Sequence, residues 1–364
     1  MTGIALTVVI APDSFKGCRT ARDVAEDLAV GWRSVRPHDE LVLLPQADGG
    51  EGTLDAVEAS VPGAIRRSAG LVTGPDSRPT PGEWLMLPDG TAVMELAQMA
   101  GLPRMGELDP LGATSRGLGQ VIDTALEAGA TRLVIGLGGS ASTDAGTGAL
   151  AALGMLFTDQ QHNPVPDGGG SLHLIRSAHR GDLRPPPVRG VVLLVDVDVP
   201  LSAAATMFAP QKGATKTQVA TLGYALAHIA RLLGGDPQRP GSGAAGGTAY
   251  GLATVWGAIA ESGAAHIAQL SGLDAALTRA DIVLTGEGRF DEQSDRGKVA
   301  GRVLTNARRL GKIAGVVAGE VTHEPDCWTA SLTQLAGSRE ASLADPARWL
   351  RDAGALAARA LTPS

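Results

Sequence analysis

The chain has 364 residues, with 31 lysines and arginines against 38 aspartates and glutamates, a net charge of −7 and only 3% aromatic residues; this balance excludes a basic, base-stacking nucleic-acid binder. A hydrophobic share of 44% excludes a disordered chain, and two cysteines without a CxxC spacing, Cys18 and Cys327, specify neither a disulfide framework nor a zinc knuckle. Glycine is the outlier: 49 residues beside 22 prolines, with no Gly-X-Y period, so it has to serve turns or close contacts between elements.

In chain order, the opening segment MTGIALTVVIAPDSF lacks a basic start and its apolar run ends at Asp13, so it reads as a strand and not as a signal peptide. Continuous apolar runs predict strands over Leu6–Ala11, Leu41–Pro45, Leu133–Leu137, Val191–Val195, Ile282–Leu284 and Ile313–Ala318; runs of this kind are buried on both faces, as in a parallel sheet covered by helices. Helical patterns fall between them over Ala21–Val35, Gly52–Ala59, Gly117–Gly129, Ala145–Leu153, Thr217–Leu233, Ala249–Glu261 and Lys298–Leu310, the β-α-β-α order of a doubly wound α/β fold. Within Gly74–Leu96, Pro88-Asp89-Gly90 sits between two strand-like runs and predicts an antiparallel hairpin, taken as the start of a second, inserted domain. The expected division is 1–70 plus 270–364 against 71–269, consistent with a length of roughly two domains. The uncharged stretch Pro240–Ala260 is rich in glycine and too weakly apolar to predict a membrane span, so the expected location is cytoplasmic.

The segments just past the strands carry the chemistry. The first strand ends in Asp13-Ser14-Phe15-Lys16-Gly17, the second in Asp48-Gly49-Gly50-Glu51-Gly52, the Leu133 strand in Gly138-Gly139-Ser140-Ala141-Ser142-Thr143-Asp144, the Val191 strand in Asp196-Val197-Asp198 with Lys212 downstream, and the Ile282 strand in Gly286-Glu287-Gly288-Arg289-Phe290-Asp291. Ligands of open parallel sheets bind beyond the carboxyl ends of the strands, so these loops are expected to converge on one site. Glycines let main-chain amides approach a phosphate, carboxylates beside such a cradle suit Mg2+, and Lys16, Lys212 and Lys298 supply charge for a transferred phosphoryl group. The pattern predicts a Mg2+-dependent phosphotransferase. Taken singly, Asp13, Asp144 or Asp291 is an ordinary helix cap or turn residue; Asp196 and Asp198, on one face of an extended segment, ask for a cation or donors. No GxxxxGK[ST], GxSxG, HExxH or kinase HRD/DFG set occurs, and Gly241–Gly246 satisfies GxGxxG only formally, since a loop and not a strand precedes it.

The blocks VVIAPDSFKG, LPQADGGEGT, GLGGSASTD, APQKGAT and TGEGRFDEQS with a following Gly-Lys pair resemble, in this order, the bacterial glycerate kinase family. The resemblance implies an α/β protein of two domains, one flavodoxin-like with a parallel sheet and one smaller mixed α/β domain inserted in it. It also implies ATP and Mg2+ as cofactors and D-glycerate as substrate, with 2-phosphoglycerate as product. The alternatives are a kinase for another small hydroxy acid, the 3-phosphoglycerate product, or a non-catalytic ligand-binding relative. The expected partners are small molecules, with neither nucleic acid nor membrane, in a monomer or homodimer. By motif, the catalytic candidates are Asp196, Lys16, Asp48 and Asp291, with Asp196 as base or Mg2+ ligand. The substrate- and phosphate-binding candidates are Asp13, Ser14, Gly49, Gly50, Glu51, Gly138, Gly139, Ser140, Asp144, Lys212, Gly286, Arg289 and Lys298, and the metal candidates Asp196, Asp198 and Glu287. Departures from the family pattern are Val199 before Pro200, a short Pro200–Phe208 loop without glycine, Ala300 and Glu320.

Overall fold

The computed structural model describes residues 4–295 and 298–362. Its strands are β1 Thr7–Ile10, β2 Glu40–Leu43, β3 Ile65–Thr73, β4 Pro79–Met86, β5 Thr91–Glu95, β6 Arg132–Gly136, β7 Leu156–Thr158, β8 Ser177–His179, β9 Val191–Val195, β10 Ile259–Ser262, β11 Ile282–Phe290, β12 Ile313–Val321 and β13 Trp328–Ser331. The chain forms two compact units: the first comprises Met1–Asp48, Asp55–Pro62 and Ala264–Ser364, the second Gly49–Leu54 and Gly63–Gly263.

The first unit is built on a parallel sheet of order β13-β12-β11-β1-β2. Alternation along β1 sends Val8 and Ile10 to one face, where they meet Leu28 and Trp32 of helix Ala21–Val35 and Ala353 and Ala357 of helix Pro346–Ala360. Val9 and Ala11 go to the other face, against Leu277 of helix Leu273–Arg279 and Val303 and Ala307 of helix Val299–Arg309. Burial on both faces is why these strands read as unbroken apolar runs.

Glycine sets how closely the two helices of the first face approach. A Cβ on Gly31 would stand 1.9 Å from the Arg351 carbonyl oxygen, and one on Gly354 would stand 2.3 Å from the Leu28 carbonyl oxygen. Beside this contact the buried Asp27 accepts hydrogen bonds of 2.9 Å from both Arg19 and Arg351.

The second unit carries a mixed sheet of order β10-β9-β6-β5-β4-β3, in which β5, β6, β9 and β10 run parallel and β4 is antiparallel to both β3 and β5. The β4–β5 turn is the hairpin expected at Pro88-Asp89-Gly90, closed by the Gly90 amide on the Leu87 carbonyl oxygen at 3.0 Å. Helices Arg116–Glu127, Thr147–Ala152, Lys216–Leu233 and Thr248–Trp256 bury their apolar faces in the core of this unit.

The apolar runs belong to two sheets, Leu133–Leu137 and Val191–Val195 supplying β6 and β9 of the second unit; a run reports burial on both faces, and either sheet provides that. Two expectations are corrected. The helix expected over Ala249–Glu261 stops at Trp256, where Gly257 takes a left-handed φ of +70°, and the chain then adds β10 beside β9. The inserted unit is the longer of the two and not the smaller, because it has a six-stranded sheet of its own.

The tight contact is testable. Gly31→Ala is expected to lower stability by about 1–3 kcal/mol through overpacking against the Arg351 backbone. Gly223→Ala, in helix Lys216–Leu233 with no atom within 4 Å of the added Cβ, is expected to raise it by up to about 1 kcal/mol through helix propensity. Thermal melts of both variants check the pair.

Candidate functional site

In the first unit, β1 leads to β2 on one side of the sheet while β11 leads to β12 and β13 on the other, so the strand order reverses between β1 and β11. Ligands of such sheets bind at this point, beyond the carboxyl ends of the strands. The chain leaving β1 stays against β11: the Ala11 amide donates to the Leu284 carbonyl oxygen and the Asp13 amide to that of Gly286, both at 2.8 Å. Phe15 is buried, and Phe15 and Arg19 pair across a closed turn, which fixes Asp13, Ser14 and Lys16 at the strand end. Asp48 arrives after β2, Glu287 and Arg289 on β11, Asp291 just after it, and Lys298 at the start of helix Val299–Arg309. All eight line one cavity of about 420 Å³.

The carboxylates of this cavity crowd one another. Burial pushes Asp13 up to about 7, with help from the charge of Asp48, and the Ser14 amide and Lys16 only partly offset this. Burial likewise pushes Glu287 up to about 7 against the Ser294 hydroxyl and Lys298. Glu287 is 8% exposed, and its Oε1 has no hydrogen-bond partner among the described residues. Lys16 Nζ stands 3.9 Å from the Asp48 carboxylate. Asp291 has a local task, accepting from the Ser294 amide at 3.1 Å, and Gly286 takes the Asp13 amide. Among the described residues no three His, Cys, Asp or Glu side chains form a metal-holding group. Asp13 and the unpartnered Oε1 of Glu287 are oxygen donors of the kind a hard divalent cation takes beside phosphate oxygens.

The other candidates lie in the second unit. Gly49 and Gly50 lie on the ends of β6 and β9: a Cβ on Gly49 would meet the Leu194 Cβ at 2.6 Å, and one on Gly138 the Gly50 Cα at 2.4 Å. The Gly138 amide donates to the Gly49 carbonyl oxygen at 3.1 Å. Glu51 and Gly139 are exposed, and Ser140 is buried, its hydroxyl donating to the Ser142 carbonyl oxygen at 3.3 Å. Asp144 is fully buried and accepts from the amides of Ser115, Gly146 and Gly148 and from the Ser115 hydroxyl. Lys212 is 3% exposed and donates to the Ser142 carbonyl oxygen; burial pulls its ammonium down to about 8, partly countered by Asp144. Asp196 and Asp198 lie just beyond β9, Asp196 exposed and Asp198 likewise.

Two features escape the sequence reading. Glu95 is fully buried and accepts from the Gly52 and Leu54 amides, each at 3.2 Å, so a carboxylate of the chain itself sits at the start of helix Thr53–Ser60. The available signal is a single charge closing the apolar run of β5. Arg339, Thr333 and Ser342 line the cavity of the first unit, and no strand-end motif marks them.

The profile of the glycerate kinase family matches residues 8–362. Glycerate 2-kinase of Escherichia coli K12 is 37% identical over 332 residues, covering 88% of this chain and 86% of that protein. Glycerate kinase of Bacillus subtilis 168 is 36% identical over 332 residues, covering 88% and 86%. A crystal structure from Salmonella typhimurium LT2, whose own assignment as glycerate kinase 2 is provisional, superposes with a TM-score of 0.83 at 34% identity and 98% coverage of both chains. A profile match spanning nearly the whole chain, with named relatives above one-third identity, makes this protein a member of the glycerate kinase family.

Proposed function

We propose that the protein phosphorylates D-glycerate with ATP and Mg2+ to give 2-phosphoglycerate. The observation that carries this reading, beyond family membership, is the cavity at the β1–β11 reversal, where a Glu287 carboxylate oxygen has no hydrogen-bond partner among the described residues and the cavity is also lined by Asp13 and the cations Lys16, Arg289 and Lys298. Phosphoryl transfer is mostly positioning and charge stabilisation. Lys16, Arg289 and Lys298 bind the glycerate carboxylate and the transferring phosphoryl group, and Asp13 and Glu287 are the residues that would hold the metal. Mg2+, when bound, supplies charge neutralisation on the nucleotide phosphates. By motif, Asp196 of the second unit is the candidate base, with Asp198 two residues on, and the Gly138–Ser140 loop is the candidate source of amides for phosphate. Lys212, buried against the Ser142 carbonyl, supports that loop from inside. The altered Pro200–Phe208 segment, which forms a helix from Leu201 to Phe208, favours a second reading as a kinase for another hydroxy acid.

ATP-dependent ADP release across a panel of hydroxy acids tests both readings. The greatest turnover is expected on D-glycerate; turnover only on another acid supports the second reading, and none on any acid overturns both. Phosphorus NMR of the product is expected to show 2-phosphoglycerate. Asp196→Asn is expected to lower kcat by at least about 100-fold, the lower end of what a general base contributes; wild-type turnover removes Asp196 from the mechanism.

The raised carboxyls also set a pH dependence. Asp13 and Glu287 start from ordinary values of 3.8 and 4.5 and reach about 7 in the folded protein, so between these limits the folded state binds more protons than the unfolded one. Stability therefore falls as pH rises from about 4 to 7. Asp13→Asn is expected to raise the Tm of the metal-free protein at pH 8, to flatten this slope, and to lower activity. Melts in EDTA at pH 5 and pH 8 check the sign.

A further inference from the structure

The 420 Å³ cavity of the first unit has the size of a site for a ligand much larger than a three-carbon acid. Part of its wall is also apolar, and glycerate, with one carboxylate and two hydroxyls, has no apolar face to place there. This part of the wall comes after β13: Leu332 and Thr333, then Arg339, Ser342 and Leu343 of the short helix Arg339–Ala344, and Pro346 at the start of the last helix. Leu343 is 54% exposed and lines the cavity. Arg339 is exposed, and its guanidinium makes no hydrogen bond or ion pair among the described residues.

The two hydroxyls of this wall have a definite polarity. Thr333 Oγ1 donates to the Gly319 carbonyl oxygen and Ser342 Oγ to the Arg339 carbonyl oxygen, both at 2.8 Å. With their protons used inside the protein, both oxygens offer only lone pairs to a ligand. We propose that residues 332–346 form the nucleotide-base subsite and that its chemistry selects adenine. The base lies against Leu343 and Pro346, the planar Arg339 guanidinium stacks on it, and the exocyclic amine donates to the hydroxyl oxygens. Guanine presents a carbonyl oxygen at that position, which would face two acceptors and leave buried polar atoms unpaired. The subsite rests on the ATP dependence proposed above, and it extends that reading to the base and to its selection.

Steady-state kinetics with ATP, GTP and D-glycerate, together with calorimetric titration of ADP, test the proposal. Wild type is expected to prefer ATP to GTP. Leu343→Asp, at an exposed position, is expected to raise the KM for ATP and weaken ADP binding by about tenfold or more, a loss on the scale of one good contact, with the KM for glycerate and the Tm unchanged. Thr333→Val is expected to narrow the preference for ATP over GTP. A change in the KM for glycerate instead, no change in either KM, or no ADP binding to wild type overturns the subsite. ADP binding that is lost in Leu343→Asp supports the subsite even where no hydroxy acid is phosphorylated, an outcome that rejects the kinase reading alone.

Discussion

At many of its closest contacts this chain brings backbone against backbone where a Cβ would have no room. Gly31 and Gly354 join the two helices on one face of the parallel sheet, Gly286 lies 2.3 Å, measured from its would-be Cβ, from the Val317 carbonyl oxygen, and Gly138 lies on Gly50. The Gly241–Gly257 stretch obeys the same constraint: a Cβ on Gly246 would stand 2.2 Å from the Ser142 carbonyl oxygen, and one on Gly251 2.1 Å from that of Ala145. These contacts hold the loop that contains Asp144 and receives Lys212. The glycine excess of the composition is thus only partly an anion-binding feature, since much of it lets elements and loops lie against one another at backbone distance.

The same loops collect charge. In the first unit Asp13, Asp48 and Glu287 share a cavity, and burial leaves two of these carboxyls near 7. Such crowding costs stability in the ligand-free protein and is expected where a site is shaped for a cation and phosphate. In the second unit the charges are used differently. Asp144 and Glu95 are completely buried, and the bonds described for each run to groups of the protein itself, so two carboxylates fix backbone from within.

Much of the secondary structure was legible because it is a local property. Helix Ala21–Val35 and strand Val191–Val195 fall where the apolar pattern puts them, and the β4–β5 hairpin where Pro88-Asp89-Gly90 puts it. Elements without such a pattern were missed: β3 is mostly exposed, β13 is only partly buried, and the last helix, Pro346–Ala360, comes after a segment without a strand-end motif. The candidate residues after β1, β2 and β11 come together in one cavity, whereas those after β6 and β9 belong to the other unit. Arg339, Thr333 and Ser342 reach that cavity from a part of the chain far from the motifs.

By itself the sequence determined the α/β class, the buried strands and several of the longer helices, and the family, since periodicity and short motifs are complete within segments of about ten to fifteen residues. Only the tertiary structure decided which sheet each strand joins, that Gly257 ends a helix and frees β10, and which carboxylates are desolvated and which hold backbone. These outcomes depend on what a segment meets across the fold. An aspartate after a strand is written the same way whether it faces a cavity, as Asp13 does, or gathers amides in the core, as Asp144 does.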